Sequence, residues 1–519
     1  MTKGQAQREK LVLIISIFIA GLCSIVYELL ISTTSSYFLG DSIRQFSITI
    51  GVYMAAMGLG SFISRLTKGN LVLRFIEVEL LLGLIGGCSV PLLYFSFAYT
   101  NPTAFSALMI TLISLIGLLT GLEIPLLARI LKDYYPIEIN LSNVLSLDYL
   151  GALIATLLFP FLLLPLVGVF HSSLLFGLVN VGLGVFNLWF LKDQLPKTGI
   201  RRYHIATFLC VGFFIGLFFL SASMLLHWND RLFRDQIVYT ETTPYQTLVL
   251  TEGKGDLRLY IDRVIQFSSI DEYRYHESLV HLAMERSRRK ANVLILGGGE
   301  GLAAREVLKH PEVEKVTIVD IDPAVFALGR EQKRIKALNE GSLDNEKVVC
   351  IPEDAFVFLQ QYPEIYDVII ADLPDPSNEA LARLYSRDFF KLVRKRLSPS
   401  GVFVSQASSP FHTRMAYWCI AANIQAAGFN YIHPYHAYVP SFGDWGFIMA
   451  SSFPLDTEDW QLDVETQFLD PATARSLFQL EKDLLPSESV DTSTLDKPVL
   501  LDYFLADWRR WSRDNIPLQ

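Results

Sequence analysis

The stretch Asn292-Val-Leu-Ile-Leu-Gly-Gly-Gly-Glu-Gly301, running on into Leu302-Ala-Ala-Arg-Glu-Val-Leu-Lys309, decides how the C-terminal half of the chain folds. A short apolar run ending in glycines reads as a buried parallel strand, and the segment after it reads as a helix. Gly297, Gly299 and Gly301 let backbone approach a ligand closely, while the start of the helix offers N–H groups to polar or anionic atoms. A second apolar run, Val316-Thr-Ile-Val-Asp320, ends on an acid 23 residues beyond Gly297. An acid at that place holds the ribose hydroxyls of a nucleotide. The last position of the dinucleotide fingerprint is Leu302, which points away from NAD and toward another adenosine compound, of the S-adenosylmethionine type.

Downstream, strands are expected near 292–296, 316–320, 347–351, 366–371 and 401–405, with helical segments between them. That alternation predicts a doubly wound, Rossmann-like α/β domain over 273–455. Ligands of such sheets bind beyond the carboxyl ends of the strands. Acids stand at four successive ends: Glu300, Asp320, Asp354, and the pair in Asp372-Leu-Pro-Asp375-Pro. These positions converge on one crevice, where Asp320 and Asp354 would grip ribose and adenine. Glu300, Asp372 and Asp375 are left as a carboxylate cluster suited to a cationic amine. For Asp375, a turn role before Pro376 competes. Upstream, Asp271-Glu-Tyr-Arg-Tyr-His-Glu277 would carry Tyr275 and His276 on one helix, within reach of the same crevice. A plain helix-surface role is the alternative for His276.

With 51% hydrophobic and 19% charged residues in 519, the chain is too apolar for an ordinary soluble enzyme. Two unlike halves produce that average. Residues 1–229 hold 13 Lys and Arg against 10 Asp and Glu, and residues 230–519 hold 31 against 43. Seven apolar stretches in the first half have the length of a membrane-crossing helix: 11–31, 43–63, 75–98, 104–128, 144–168, 171–191 and 205–226. The fold class is therefore multi-domain. An all-α transmembrane bundle of about seven helices (1–229) precedes a small antiparallel β domain (230–272). The Rossmann-like domain follows, and then a tail (456–519) packed on it. The β domain rests on alternating runs at 236–239, 246–250 and 257–261, with Gly253 and Gly255 at a turn.

The first apolar stretch follows Lys3, Arg8 and Lys10 without a small-residue cleavage site, so it is read as a retained helix. Basic residues crowd alternate loops (Arg65, Lys68 and Arg74; Arg129 and Lys132; Lys192, Lys197, Arg201 and Arg202) on the side of the N-terminus. The positive-inside rule makes that side cytoplasmic. Gly58, Gly60, Gly83, Gly86 and Gly87 suit close helix packing in lipid. Glu28, Glu77, Glu79, Glu123 and Asp148 fall inside the spans, where acids are costly and mark functional positions. The competing account puts Glu77 and Glu79 near an interface and ties the others to neighbouring helices by hydrogen bonds. The five cysteines, at 23, 88, 210, 350 and 419, show no paired spacing from which a disulfide framework or a zinc site could be read, and they are expected to be buried small hydrophobes. No metal is expected.

Taken together, Pro244-Tyr-Gln246, Asp271-Glu-Tyr-Arg-Tyr-His-Glu277, the turn Gly297-Gly-Gly-Glu-Gly301, Val319-Asp-Ile-Asp322, Glu353-Asp-Ala355 and Asp372-Leu-Pro-Asp375-Pro resemble the spermidine synthase family of polyamine aminopropyltransferases. The resemblance spans about 235–455 in the family's order, and the apolar front end resembles the membrane-fused branch. It implies that an amine such as putrescine attacks the aminopropyl group of decarboxylated S-adenosylmethionine, giving spermidine and methylthioadenosine. That sulfonium compound is a co-substrate, and no cofactor is implied. Gln246, Asp320, Glu353, Asp354, Ala355 and the glycine turn would hold the adenosine part. His276, Glu300 and Asp375 would meet the amine-bearing groups, Tyr275 would orient the attacking nitrogen, and Asp372 would accept its proton. The resemblance further implies a multi-pass membrane enzyme with lipid around its bundle, a homodimer, and no nucleic-acid partner.

Several positions depart from the family: Glu300 replaces an Asp, Ala355 replaces a Gly, Pro-Ser-Asn-Glu379 follows Asp375, and 439–445 stands where a tyrosine is usual. These bear on which amine is accepted. Two other readings share parts of the pattern. One is an S-adenosylmethionine-dependent methyltransferase. The other is a membrane transporter or sensor whose soluble domain only binds polyamine, which Glu28, Glu123 and Asp148 would suit. Seven crossings place the C-terminal half opposite the N-terminus, whereas the adenosine donor is made in the cytoplasm. Loop charge and substrate supply thus point to opposite sides.

Overall fold

The computed structural model describes residues 3–39, 42–132, 134, 137–196, 200–233, 235–486 and 489–513. Two compact units make it up, Met1–Arg234 and Asp235–Gln519.

Long apolar helices build the first unit: α1 (Lys3–Leu39), α2 (Ser42–Ser64), α3 (Leu71–Tyr99), α4 (Pro102–Leu131), α5 (Ile137–Leu158), α6 (Gly168–Phe190) and α7 (Ile200–Leu232). Each expected stretch lies within this set. The fifth runs on from α5 as a π-helical segment, Phe159–Val167, carrying Pro160 and Pro165. Proline lacks the N–H an α-helical turn would use and crowds the preceding turn, and the widened spiral accommodates both. Gly168, at φ 76°, ends the segment. By length and hydropathy alone six runs are long enough to cross a membrane, because Asn140–Phe190 counts as a single run of 51 residues. The left-handed backbone at Gly168 divides that run.

Helix α2 packs on α4, α3 on both α4 and α6, and α1 on α5. A Cβ on Gly177 would stand 2.8 Å from the Cα of Gly87, so α3 and α6 meet backbone to backbone. Gly60, Gly83 and Gly86 also face neighbouring helices. Gly58, expected to do the same, has nothing within 4 Å of such a Cβ and packs against no helix.

The two ends of the bundle differ in chemistry. At one end Glu9 accepts hydrogen bonds from the Tyr134 hydroxyl and the Gln194 amide, both at 2.6 Å. Asn70 caps α3 and donates to the Gln194 carbonyl, while Arg129 donates to the carbonyls of Ser64 and Thr67. The N-terminal segment and the three basic loops therefore gather at one end, as their charge pattern required. Lys197 of the third loop lies outside the described residues. At the other end Phe38 stacks on Phe97 (4.3 Å), and Trp228 of α7 lies near Tyr94 and Phe170.

The second unit begins with a four-stranded antiparallel sheet: β1 (Gln236–Thr242), β2 (Thr247–Gly253), β3 (Asp256–Ile261) and β4 (Val264–Ser268). Lys254 and Gly255, both at positive φ, make the two-residue turn between β2 and β3. Helix α8 (Glu272–Arg286) leads into a larger sheet. Its parallel strands are β5 (Asn292–Gly297), β6 (Lys315–Asp320), β7 (Val348–Pro352), β8 (Tyr366–Asp372) and β9 (Leu397–Gln406), each over an expected run. Between them run α9 (Leu302–Leu308), α10 (Pro323–Glu331), α11 (Lys333–Leu338), α12 (Ala355–Gln361), α13 (Glu379–Ala382) and α14 (Arg387–Arg396). After α15 (Arg414–Ala426) come β10 (Tyr431–Val439) and β11 (Gly443–Ser451), an antiparallel pair that no expected run covered.

The order is β10-β11-β9-β8-β5-β6-β7. The chain leaves β5 toward β6 and β7, then returns to β8, so the topological switch falls between β5 and β8. Leu294, Leu296, Ile369 and Phe403 face one apolar layer, and Val293, Ile295, Val368 and Val404 face the other. The C-terminal segment closes both layers. Trp460 and Leu477 join one, while Leu500 and Phe504, from α17 (Val499–Arg513) beyond the short α16 (Pro471–Ser476), join the other.

Candidate active site

Backbone at the end of β5 is forced into glycine-only conformations. Gly297, Gly298 and Gly301 have φ of 84°, 63° and 89°. A side chain at Gly297 would strike the backbone carbonyl of Asp372, and one at Gly299 would come within 2.8 Å of Asp320 Oδ2. Instead the Gly299 N–H donates to Asp320 Oδ2 (3.2 Å), and the Asp322 N–H donates to Oδ1 (3.0 Å). Both bonds favour the carboxylate, yet burial dominates and lifts Asp320 to about 6.

The adenosine-side residues separate by partner. Gln246, in the turn after β1, donates to Asp322 Oδ2 at 3.1 Å, beside Thr243 at 2.8 Å. Asp322 also caps α10 through the Ala324 N–H, so it ties the small sheet to the turn that carries Asp320. Glu353 follows β7, where its N–H donates to the Asp320 carbonyl (3.0 Å). Asp354 accepts from the N–H groups of Phe356 and Val357 at the start of α12 and pairs with Arg383. Ala355 is buried as the first residue of that helix. Asp354 thus has a capping role alongside any ligand role.

Across the switch point stands a second group. The Tyr275 hydroxyl, buried on α8, donates to Asp372 Oδ1 at 2.7 Å. Burial, and then Asp372, push that phenol well above its usual range, so it stays a donor. Burial raises the Asp372 carboxyl as well, opposed by His276 and by the Tyr275 hydrogen bond. His276 lies next to Tyr275 with its Nδ1 at 2.9 Å from the Glu272 carbonyl and 2.7 Å from Glu272 Oε2. Both neighbours are acceptors, so Nδ1 carries a proton and Nε2 is turned to the site, 3.9 Å from Glu300 Oε1.

Glu272 is itself held by Arg305 through two bonds of 2.8 and 3.0 Å, and Arg305 also meets Glu306 (2.8 Å) and the Leu338 carbonyl (2.7 Å). Burial alone would lift Glu272 and lower His276. Their mutual bond, with Arg305 on the glutamate, moves Glu272 below and His276 above the usual range. The helix-surface reading of His276 is therefore wrong, since the ring is 3% exposed. Glu300 is raised by burial first and by Asp372 second. One ligand-type atom each of His276, Glu300 and Asp372 lies within 4.8 Å of the others, a spacing that admits a cation, metal or ammonium.

Asp375 stands on the loop that follows Asp372 at the end of β8. Burial lifts it to about 7, with Ser408 and Gln406 opposing, and its Oδ1 has no hydrogen-bond partner. Its loop is held from behind: Tyr385 donates to the carbonyls of Leu373 (2.9 Å) and Pro374 (3.0 Å), and Gln406 donates to Leu373 and to Tyr385. Ser408, buried at φ 63°, is held in strained backbone beside them. The segment 439–445 is the β10–β11 turn. There Ser441 donates to Asp271 through N–H (2.6 Å) and hydroxyl (2.8 Å), and the Phe442 ring lies 6.0 Å from Tyr275.

The structure thus brings Tyr275, His276, Glu300 and Asp372 together at the ends of β5 and β8, with Asp320 across the glycine turn. Sequence reasoning missed Arg305, Glu272, Asp322, Tyr385 and Gln406. Only Asp322 left a local signal, as an Asp-Pro helix start.

The spermine/spermidine synthase domain family matches residues 272–457. A polyamine aminopropyltransferase of Leptospira interrogans serogroup Icterohaemorrhagiae serovar copenhageni is 40% identical over 96% of this chain and 99% of its own. Polyamine aminopropyltransferase 2 of Ralstonia nicotianae is 41% identical over 98% and 99%. Among solved structures, spermidine synthase from Thermotoga maritima aligns at TM-score 0.44 and 25% identity, over 48% of this chain and 87% of that one. The two full-length relatives decide against a methyltransferase. This chain belongs to the polyamine aminopropyltransferase family.

Proposed function

We propose that the second unit moves the aminopropyl group of decarboxylated S-adenosylmethionine to putrescine or a closely related diamine. A nitrogen–carbon bond forms as the carbon–sulfur bond breaks. The sulfonium becomes the neutral thioether of methylthioadenosine, and the amine loses one proton. Only a neutral amine has a lone pair, and alkylammonium groups titrate near 10, as lysine does at about 10.4. A base must therefore take the proton as the bond forms. Asp372 is that base, and the observation that carries the assignment is its 2.7 Å bond from the buried Tyr275 hydroxyl at the switch point. Tyr275 fixes the carboxylate's orientation and, through it, that of the attacking nitrogen.

In this reading Gln246, Gly297, Gly299, Gly301, Asp320, Glu353, Asp354 and Ala355 surround the adenosine part. His276, Glu300 and Asp375 contact the amine-bearing groups, whose N–H groups the two carboxylates accept. Glu300 also disfavours ordinary S-adenosylmethionine, whose carboxylate would meet a like charge there. Turnover with both sulfonium compounds, with and without putrescine, tests this. The proposal expects aminopropylated product only from the decarboxylated donor with amine present. A methylated product would overturn it.

The small sheet (230–272), the catalytic domain (273–455) and the tail (456–519) act as one enzyme on this reading, and the helical bundle spans a membrane. Phe161, Leu166, Phe208 and Phe219 are each more than 70% exposed on the bundle, an outer surface that suits lipid. The basic loops place the N-terminal end of the bundle in the cytoplasm.

A further inference from the structure

A polar seam runs through the contact between α8 and α9. His281 on α8 is 0% exposed, and Glu306 on α9 and His310 just beyond it are each 1% exposed. His281 Nε2 lies 2.8 Å from Glu306 Oε2, and its Nδ1 lies 3.0 Å from His310 Nε2. Glu306 also accepts from Arg305 Nε (2.8 Å) and from Lys309 (2.7 Å). Burial alone would lift this carboxyl, but the bonds from His281 and Lys309, with the Arg305 charge, hold it well below the usual range. A carboxylate only accepts, so His281 Nε2 carries a proton and donates it to Glu306.

The seam is continuous with the candidate site. Arg305 spans Glu306 at one edge of its guanidinium and Glu272 at the other, and Glu272 holds His276 Nδ1 at 2.7 Å. His281, Glu306, Arg305, Glu272 and His276 thus stand in one row, none of them more than 8% exposed. Arginine cannot give up its proton, so the row carries no proton to or from the site. Nor does stability explain it, because well-packed apolar residues often equal or surpass a buried ionic cluster. What apolar residues cannot do is fix a direction, and every bond in the row is directional. Both helices bear on the site, α8 through Tyr275 and His276, and α9 through the glycine turn that opens it.

Glu277, also on α8, gives the contrast. Its carboxylate is 1% exposed and accepts from the N–H groups of Gln467 (2.7 Å), Phe468 (2.9 Å) and Leu469 (2.9 Å). None of these bonds leads to His276. We propose that His281 and Glu306 are positioning residues for aminopropyl transfer. Acting through Arg305 and Glu272, they fix the angle at which His276 presents Nε2 to the amine-bearing groups of the substrates. The inference rests on His276 meeting those groups, and it adds two residues too deeply buried to touch substrate.

The test is steady-state kinetics of the detergent-purified full chain with the decarboxylated sulfonium donor and putrescine, alongside thermal unfolding. Glu306→Gln keeps the shape and can still accept from Arg305, but it removes the charge that Arg305 shares with Glu272. His281→Leu removes the donor to Glu306. Each should raise KM for an amine-bearing substrate by about tenfold, the worth of one charge-assisted hydrogen bond. Asp372 and Tyr275 are untouched, so kcat should stay within about threefold of the parent. Together the two changes should cost no more than the larger alone, since they cut the same row. Glu277→Gln should lower the melting temperature at least as far and move neither KM. Parental KM values in Glu306→Gln and His281→Leu overturn the proposal, as do multiplying effects in the double variant. An equal rise in Glu277→Gln overturns it too, because a general loosening of α8 would then suffice. His276→Gln separates the two readings. A raised KM there, with none in Glu306→Gln, overturns the positioning role alone. An unchanged KM in His276→Gln contradicts the contact assigned to His276, and the positioning role falls with it.

Discussion

The two units each bury carboxylates and treat them differently. In the catalytic unit nearly every such group has a fixed partner. Glu272 has Arg305, Asp372 has Tyr275, Asp320 has two backbone N–H groups, and Asp354 has a helix start and Arg383. In the bundle, Glu79 and Glu123 have only each other and Asp148. The catalytic carboxylates are oriented before any substrate arrives, which lowers the reorganisation left for the reaction. Asp375 is the informative exception: its Oδ1 is unpartnered, and it is assigned to an amine.

The largest effect should come from undoing a partnered acid. Glu272→Gln leaves Arg305 buried with one counter-charge fewer and should cost about 3–5 kcal/mol of stability, as breaking buried pairs does. It should also free the His276 ring, so KM for the amine rises as thermal stability drops. A variant as stable as the parent would break the comparison at its firmest point.

Asp375 should behave in the opposite sense. Its folded pKa, about 7, is raised above the unbound range, so the charged form is disfavoured by folding. Stability is fully present below the unfolded value and is lost as pH rises through neutrality. Asp375→Asn should therefore unfold at higher temperature than the parent at pH 8, by up to about 4 kcal/mol, and match it in acid. In the parent, kcat/KM for the diamine should fall as pH drops below about 7, where the carboxylate takes up its proton. The variant should lack that limb. Identical melting curves at pH 8 would contradict the assignment.

Asp320→Ala should weaken methylthioadenosine binding by about 1.5–3 kcal/mol, the worth of a hydrogen bond to a charged acceptor. Calorimetry reads this directly, and unchanged affinity would move the ribose elsewhere. The smallest effect is expected at Glu77, whose pairing with the half-exposed Arg74 is worth at most about 1 kcal/mol. Glu77→Gln should lower the thermal stability of the full chain by no more than that. A larger loss would mean that the pair is not the solvent-screened contact its exposure indicates.

Much of the parallel sheet was legible because its signals are local. The glycine turn, Asp320 and Asp372 each sit at a fixed step from an apolar run, and the strands were found where those runs lie. What escaped depends on residues far apart in sequence. Arg305 gives no hint that it braces Glu272, 33 positions away. Tyr385 and Gln406 hold the Asp372 loop from separate elements. Strands β10 and β11 were missed because Pro434 and the polar residues of 431–439 obscure the alternation. In the bundle, composition identified the helices but not their facing. Gly58 was grouped with the packing glycines, and Glu79 with Glu77, because only the rotation of each helix tells core from surface.

The central claim is that Asp372 takes the amine's proton while other groups hold the nucleoside. Aminopropyl transfer and methylthioadenosine binding should be measured on the same preparations of the full chain and its Asp372→Asn variant. The account predicts a loss of transfer of about 10²-fold to 10⁴-fold, the usual worth of a general base, with nucleoside affinity nearly unchanged. Transfer at close to the parental rate would contradict it.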